Sequence, residues 1–230
     1  MHDAHAHGST VIRPLLHEFV EDRATWDIYE QFLWGPALLI SPVMEPNAVT
    51  VDAYIPDARW YDYYTDEYIG IRGKSTTLSA PLDHINLHIR GGYILAWQQP
   101  ANTTFYSRKN PMGLIVALND TQLAEGQLYW DDGVRIDAYE DGAYLLTSFT
   151  AKQNVLDITV VHHGYTDPNN LMFTEIKVLG VNTNVQQVAV LQNGGTIPSA
   201  HVLSYNSTTQ VLKITRLQLQ LGQTYTVQWN

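Results

Sequence analysis

The feature that most constrains the fold is the alternation of apolar and polar residues that begins after Ala37. Four runs alternate in this way and a fifth is apolar throughout: residues 50–55, 84–90, 156–160, 216–221 and 114–118. Successive side chains of a β-strand point to opposite faces, so alternation gives a strand one apolar and one polar face. The alternating runs therefore predict half-buried strands, and the apolar run predicts a fully buried one.

Turn signals separate these runs. Asp132-Gly133, Asp141-Gly142 and Asn193-Gly194 are dipeptides that favour the tight turns of antiparallel hairpins. Many short strands joined by such turns are typical of β-sandwiches. Because about 190 residues is more than one sandwich needs, we expect a linker within this region, and the polar stretch 98–110 is the best candidate.

The first 36 residues have a different character. The apolar run 11–16 predicts a buried strand, and a helix is expected to begin after Thr25 and to end at Gly35-Pro36. An α/β piece with one strand cannot bury its own faces. We therefore expect this piece to complete a domain whose remainder lies outside the sequence, to expose apolar surface, and to make the chain less soluble than one lacking residues 1–36.

Composition limits the classes of function. The chain has 23 acidic and 13 basic residues, a formal net charge of −10, which argues against nucleic-acid binding. Apolar residues make up 45% and charged residues 16%, so a packed core is expected. There is no cysteine, which excludes disulfides, thiolate metal sites and cysteine nucleophiles within the chain.

Three Asn-x-Ser/Thr sequons occur, at Asn102, Asn119 and Asn206, each in a polar stretch between apolar runs. Chance would give about one in this length. The three asparagines are therefore candidate glycosylation sites, and they favour the secretory pathway. The opening segment 1–8 has no apolar core and does not resemble a signal peptide.

Histidines are the first candidate ligands for a metal. His2, His5 and His7 lie close together, but no acidic or thiolate fourth ligand is near in sequence, so a helix end is the favoured interpretation. The doublet His162-His163 lies at a strand end, where neighbouring side chains point to opposite faces and cannot simply chelate one ion. We predict no metal site and no cofactor.

Carboxylates are the remaining catalytic candidates, because glycoside cleavage needs two of them across the scissile bond. Asp131-Asp132 precedes a glycine, which favours a turn over catalysis. Glu18 follows the first predicted strand, and in an α/β barrel it would lie at the face where active sites are built. The alternative, which we favour, is that Glu18 pairs with Arg13 or Arg23 and fixes a loop.

The aromatic segment 60–64 has two interpretations. Its rings could form an exposed platform that stacks on sugars. Strand geometry instead buries half of them, and we favour core packing. No serine-nucleophile elbow, phosphate loop or His-Glu-x-x-His motif occurs.

Seven segments, taken in order, resemble glycoside hydrolase family 31, in particular its vertebrate α-glucosidases. They are 5–19, 25–35, 39–43, 60–65, 85–94, 107–113 and 129–133. The resemblance covers essentially the whole chain. One departure is Asp66, which stands where many relatives have glycine, and we expect it to alter only a surface turn.

The resemblance implies a mainly β fold, with the last strand and helix of a (β/α)8 barrel in residues 1–36 and two C-terminal β-sandwiches in 37–108 and 109–230. It also implies a retaining α-glucosidase that releases glucose from the non-reducing ends of α-1,4 and often α-1,6 glucosides. In the family the catalytic aspartates lie on earlier barrel strands, and their motifs do not occur here. The resemblance therefore places no catalytic or substrate-binding residue on this chain.

Two functions remain open. In the first, the chain is the C-terminal part of an α-glucosidase that meets an α-glucan or maltooligosaccharide through its barrel. Its upstream part would then supply the aspartates and a secretory signal, with a membrane anchor for an enzyme of the apical surface. The enzyme would be extracellular, apical or lysosomal. In the second, the chain is a stand-alone β-sandwich module that binds glucans without cleaving them.

Overall fold

A computed structural model describes residues 1–230, and the predicted mainly β fold is confirmed. The chain divides into two compact units, Met1–Gly91 and Gly92–Asn230. None of its helices combines the length and the apolar character that crossing a bilayer requires. Each unit is described by itself.

The first unit contains three short helical segments and seven strands. The helices are α1 (His2–His7), α2 (Leu15–Glu18) and a 3-10 turn (Arg23–Thr25). The strands are β1 (Ile12–Pro14), β2 (Phe32–Trp34), β3 (Leu38–Ser41), β4 (Thr50–Ile55), β5 (Trp60–Asp62), β6 (Lys74–Ser79) and β7 (Asn86–Arg90). Five strands form an antiparallel sheet in the order β1-β2-β3-β7-β5, and β4 pairs with β6.

The core of the first unit joins its two sheets. Leu33 and Leu39 come from β2 and β3 of the larger sheet, whereas Ile55 comes from β4 of the smaller one. Leu15 and Trp60 complete this cluster of buried side chains. Burial of apolar area from both sheets holds them together, as in a sandwich.

The helix expected between Thr25 and Gly35 is wrong. The 3-10 turn ends at Thr25, and residues 32–34 form β2, which pairs with β1 on one side and β3 on the other. Only Leu33 is fully buried in β2, between the partly exposed Phe32 and the exposed Trp34. Pairing with two strands and burial of Leu33 outweigh a helical periodicity that rested on residues of modest helix propensity.

The strand expected at residues 11–16 is shorter and less buried than predicted. Strand β1 ends at Pro14, where the chain turns into α2, and Ile12 is 65% exposed on an edge strand. Leu15, by contrast, is fully buried in the core. The two strands of the first 36 residues therefore belong to the sheet of the first unit, and the assignment of this segment to a barrel stays a prediction.

The second unit contains α3 (Thr104–Ser107) and eleven strands. These are β8 (Tyr93–Gln98), β9 (Met112–Ala117), β10 (Leu123–Trp130), β11 (Leu145–Lys152), β12 (Val155–His163), β13 (Met172–Leu179), β14 (Val188–Gln192), β15 (Gly195–Thr196), β16 (Val202–Asn206), β17 (Val211–Gln220) and β18 (Tyr225–Trp229). Their order is β15-β14-β18-β12-β11-β10-β8-β9-β13-β17-β16. Most neighbours are antiparallel, but β9 with β13 and β10 with β8 are parallel.

The eleven-stranded sheet folds back on itself. Phe149 on β11 and Phe173 on β13 are four strand spacings apart, about 19 Å in a flat sheet, yet their ring centroids are 5.9 Å apart. Both rings are buried in one core that contains side chains from both halves of the sheet. The sheet thus supplies both layers of a sandwich.

The linker expected at residues 98–110 is wrong. This stretch connects β8 to β9, which are antiparallel neighbours in the sheet of the second unit. Asn110 ties its two ends together, because its side-chain amide donates to the carbonyl oxygens of Gln99 (2.9 Å) and Pro100 (3.1 Å). The division between units falls at Gly91 and Gly92, not near the predicted boundary at residue 108.

The alternating runs form strands as predicted. Ala53 and Ile55 of β4 and Leu217 and Leu219 of β17 are buried, and all six residues of β9 are buried. In β7 the buried face differs from the predicted one. Ile85 lies exposed before the strand, and Asn86 and His88 are buried beside Ile89. Strand β7 lies between β3 and β5, so neither of its edges meets solvent.

Candidate functional site

Glu18, the carboxylate that the sequence singled out, lies at the end of α2 between two arginines. Arg13 Nη1 donates to Glu18 Oε1, and Arg90 Nη1 donates to Glu18 Oε2 at 3.1 Å. Arg13 Nε also donates to the Thr10 carbonyl oxygen at 2.8 Å. The Arg90 guanidinium lies 4.4 Å from the centroid of the Phe19 ring, where a cation–π contact adds to the ion pair.

This arrangement fixes the chain around Glu18. All three charged side chains are at most 20% exposed, so the pairs are poorly screened by water. The predicted pairing with Arg13 is confirmed, whereas Arg90, which is 72 residues away, was missed. Both carboxylate oxygens are engaged, so the geometry supports a positioning role for Glu18 rather than attack on a substrate.

The aromatic segment 60–64 forms core rather than a platform. Trp60 and Tyr61 are fully buried, and Trp60 Nε1 donates to the Pro56 carbonyl oxygen at 2.9 Å. Tyr64 is exposed, but its hydroxyl donates to the Ile85 carbonyl oxygen and its ring lies 4.5 Å from that of His84. A sugar cannot reach Trp60 without unfolding the strand that carries it.

The histidine candidates contact other groups of the protein, and the rings of His2 and His7 lie edge to face, with their centroids 6.3 Å apart. His7 Nδ1 lies 2.9 Å from Asp3 Oδ1 across one turn of α1. His162 Nε2 lies 2.8 Å from the Gly142 carbonyl oxygen, whereas His163 lies against Gly222. No group of three or more histidine, aspartate or glutamate side chains in residues 1–230 has the arrangement of a metal site.

Asp131 and Asp132 build a turn, as expected. Asp131 Oδ1 accepts from the Gly133 amide at 2.8 Å, and Asp132 Oδ1 accepts from the amides of Val134 and Arg135 at 2.9 Å each. These backbone amides, Arg135 first, hold the pKa of the Asp132 carboxyl below its ordinary value. The pair therefore orders the connection between β10 and β11.

A cluster around Trp130 was missed in the sequence. The Arg108 guanidinium lies 4.1 Å from the centroid of the Trp130 ring and donates to the Asp131 carbonyl oxygen. Trp130 Nε1 donates to Asp167 Oδ2 at 2.9 Å. Trp130 is central to the segment 129–133, but nothing in the sequence indicated that its partners lie 22 and 37 residues away.

Four rings stack next to this cluster. Tyr144 is stacked with Tyr129 (5.1 Å between centroids), Tyr139 (5.3 Å) and His162 (4.1 Å). Burial, with a hydrogen bond to Asp131, raises the pKa of Tyr129 to about 12. Tyr129 lies on β10, Tyr144 directly precedes β11 and His162 lies on β12, so the stack links these three strands.

A cavity of about 240 Å³ in the first unit has an acidic wall formed by Asp27, Glu30 and Asp52. Tyr54 lines it and donates its hydroxyl to Asp22 Oδ2 at 2.6 Å; burial first, and then this bond, raises the pKa of Tyr54 to about 12. The buried Gln31 beneath it is bonded to Ser41 Oγ and to both backbone polar atoms of Tyr54. The protein itself satisfies the polar groups at the base of this cavity.

The three sequons differ in their surroundings. Asn102 precedes α3 and Asn206 ends β16, and both side chains are exposed. Asn119 is half-buried, and its Oδ1 accepts from the amides of Thr121 and Leu123 and from the Thr121 hydroxyl at 2.8–3.0 Å. Glycosylation of all three stays a prediction.

The sequence of the first unit matches that of a known protein family. Residues 8–95 match the family model described as the glycosyl hydrolase family 31 C-terminal domain. That span covers β1 to β7 and the ion pairs of Glu18. The chain belongs to glycoside hydrolase family 31.

Relatives within family 31 extend the similarity over the whole chain. Human probable maltase-glucoamylase 2 is 57% identical over 190 residues, 82% of this chain and 8% of that protein. Rat lysosomal alpha-glucosidase is 38% identical over 247 aligned positions, 100% of this chain and 25% of that protein. The chain thus spans a quarter or less of these curated relatives and corresponds to the C-terminal region of α-glucosidase-type enzymes.

A solved family 31 structure supports the fold of both units. The ER glucosidase II heterodimeric complex of catalytic subunit and regulatory-subunit binding domain aligns with a TM-score of 0.86 at 27% identity. The alignment covers 99% of this chain and 26% of the matched one. The mainly β architecture is therefore that of a family 31 C-terminal region.

Proposed function

We propose that this chain is the C-terminal part of a retaining α-glucosidase that releases glucose from the non-reducing ends of α-1,4 and α-1,6 glucosides. The observation that carries the proposal is 57% identity to human probable maltase-glucoamylase 2 over 82% of the chain. Identity of 50% to human sucrase-isomaltase over 84% of the chain supports it. The substrate of the whole enzyme would be an α-glucan or a maltooligosaccharide.

In this proposal the chain supports the catalytic barrel and carries no catalytic aspartate. The surroundings of the candidate carboxylates favour such a role: two arginines hold Glu18, and backbone amides hold Asp131 and Asp132. Retaining hydrolysis needs two carboxyl groups about 5–5.5 Å apart on either side of the scissile bond. That pair would lie in the upstream part of the enzyme.

The secretory pathway is the proposed location, on the apical surface or in lysosomes. Relatives named as intestinal and as lysosomal enzymes support this location, as do the exposed sequons Asn102 and Asn206. A membrane anchor, where one exists, would lie upstream.

An activity assay tests the proposal that the catalytic carboxyl groups lie in the upstream part of the enzyme. Purified residues 1–230 should not hydrolyse maltose or p-nitrophenyl α-glucoside above the buffer rate, whereas full-length lysosomal α-glucosidase run in parallel should. Turnover by the chain alone would show that it contains a complete catalytic pair. Titration with maltotetraose tests the glucan-binding alternative, and absence of heat would exclude it at the concentrations used.

A further inference from the structure

A cavity of about 450 Å³ opens on the second unit beside β17. Its wall carries one cationic side chain, Arg216, and two neutral polar ones, Ser199 and Gln218. Ile197, Pro198 and Ala200 supply apolar surface. No carboxylate lines it, although the chain as a whole has a formal net charge of −10. Its volume is in the range of sites that bind small molecules.

The backbone at Arg216 is strained. Its φ of +58° lies in the left-handed region, which residues with a Cβ atom rarely adopt. The other non-glycine residues with positive φ lie in turns and loops, whereas Arg216 lies inside β17. Strained backbone conformations of this kind cluster at active sites, ligand-binding sites and switch regions.

A β-bulge explains how Arg216 comes to line the cavity. Leu219 pairs with Phe173 of β13 and Thr215 pairs with Glu175, so three residues of β17 face only Thr174. Bulges redirect side chains at such points. Leu217 and Leu219 remain in the core, while Arg216 and Gln218 are exposed toward the cavity. Arg216 takes part in none of the ion pairs of the structure.

We propose that this cavity binds a small organic carboxylate. The planar guanidinium of Arg216 matches a carboxylate through two parallel hydrogen bonds. The Ser199 hydroxyl and the Gln218 amide would bond polar groups beside the carboxylate, and Ile197, Pro198 and Ala200 would contact the body of the ligand. The apolar wall favours an organic acid over a bare inorganic anion. An acidic sugar and the C-terminus of a peptide both present this chemistry.

Calorimetric titration of the whole chain distinguishes these sources. Glucuronate represents the acidic sugar and N-acetyl-leucine the peptide terminus, with glucose and N-acetyl-leucinamide as their neutral counterparts. At least one carboxylate should bind in the millimolar range or tighter, at least tenfold more tightly than its neutral counterpart. The stronger of the two identifies the source. Equal binding of acid and neutral forms, or no binding of either acid at 20 mM, would overturn the proposal.

Two variants test whether carboxylate binding depends on Arg216 itself or on the overall charge of β17. Arg216→Asn should weaken carboxylate binding at least tenfold, and asparagine tolerates positive φ, so thermal unfolding should show an intact fold. Lys213→Gln removes the same charge from the same strand outside the cavity and should leave the affinity unchanged. Equal losses in both variants, or none in Arg216→Asn, would contradict a site built on Arg216.

Discussion

Glu18 joins two arginines that lie far apart in the sequence, one before α2 and one at the end of β7. Removing one member of a mostly buried group of charges leaves the others without compensation. The cost of such a change is larger than the net contribution of the ion pairs themselves, because Arg13 and Arg90 are only 16% and 20% exposed. The Glu18 cluster is therefore a sensitive point of the first unit.

Glu18→Gln should lower the free energy of unfolding by about 3 kcal/mol, as measured by urea denaturation at pH 7. Asp57→Asn is the control, because the Asp57–Arg72 pair is largely exposed at Asp57 and should cost less than about 1 kcal/mol. Similar costs for the two variants would mean that burial does not strengthen the Glu18 cluster.

His88 is the buried titratable group of β7. Its side chain is 2% exposed, its Nδ1 has no hydrogen-bond partner, and burial lowers its pKa below the ordinary value. The Asp62 carboxylate opposes this shift and His84 reinforces it. The folded state therefore binds the proton more weakly than the unfolded state, so His88 contributes stability above about pH 6.5 that is lost as the pH falls through its folded-state pKa.

Urea midpoints at pH 7.5 and pH 5.0 test this pH dependence. The loss of stability on acidification should be smaller in His88→Asn than in the unaltered chain, because the variant no longer takes up a proton on unfolding. His5→Asn, at an exposed position of α1, should keep the full loss. A loss of the same size in His88→Asn would refute the assignment.

Asp66 shows what a single position of the sequence can and cannot predict. Its φ of +66° is one that glycine adopts freely and that residues with a Cβ atom rarely adopt. The side chain was expected in a surface turn but is 2% exposed. The turn was expected from the family resemblance, whereas no pattern in the sequence indicated that Asp66 would be buried.

At the scale of elements, strand β2 is likewise a feature that the sequence alone does not predict. Strands β4, β7, β12 and β17 follow from alternation, and β9 follows from its apolar run. The Asn193-Gly194 turn, with φ of 52° and 77°, joins β14 to β15 as its sequence predicts. The three residues of β2 carry too little pattern to outweigh an apparent helical spacing, and only pairing with β1 and β3 defines them. The pairing of Glu18 with Arg90 and the partners of Trp130 were likewise set by tertiary contacts.

Deleting residues 1–36 should destabilise the first unit, contrary to the gain in solubility expected from the sequence. The deletion removes β1 and β2 and takes Leu15 and Leu33 from the core, at about 2–5 kcal/mol for each lost side chain. Hydrogen exchange should show loss of protection in β3 and β7.

Deletion of residues 1–9 is the control, since α1 buries no side chain. The shorter deletion should leave the protection of β3 and β7 unchanged. Equal protection in both deletions, with a higher soluble yield for the longer one, would restore the view that the first 36 residues lack their packing partners.

At the scale of the whole molecule, the second unit has a core of its own. The buried cluster runs from Ile94 on β8 to Trp229 on β18 and includes no residue of the first unit. Strand β8 lies between β10 and β9 in the sheet. A boundary at residue 108 would therefore remove an internal strand.

Two fragments distinguish the boundaries. Residues 92–230 should unfold cooperatively in urea and give a dispersed amide spectrum. Residues 109–230, which start at the boundary predicted from sequence, lack β8 and should show neither property, because the sheet is interrupted between β10 and β9. A well-folded 109–230 fragment would support the sequence boundary instead.

The parallel pairing of β9 with β13 has a consequence for synthesis of the protein. All six residues of β9 are buried in the finished sheet, yet its partner β13 begins only at Met172. When Ala117 leaves the ribosome, residues 118–171 must still emerge before that pairing can form. An uncharged apolar segment without its partner is prone to aggregate. The strand whose residues are all buried in the folded chain is thus prone to aggregation in the nascent chain.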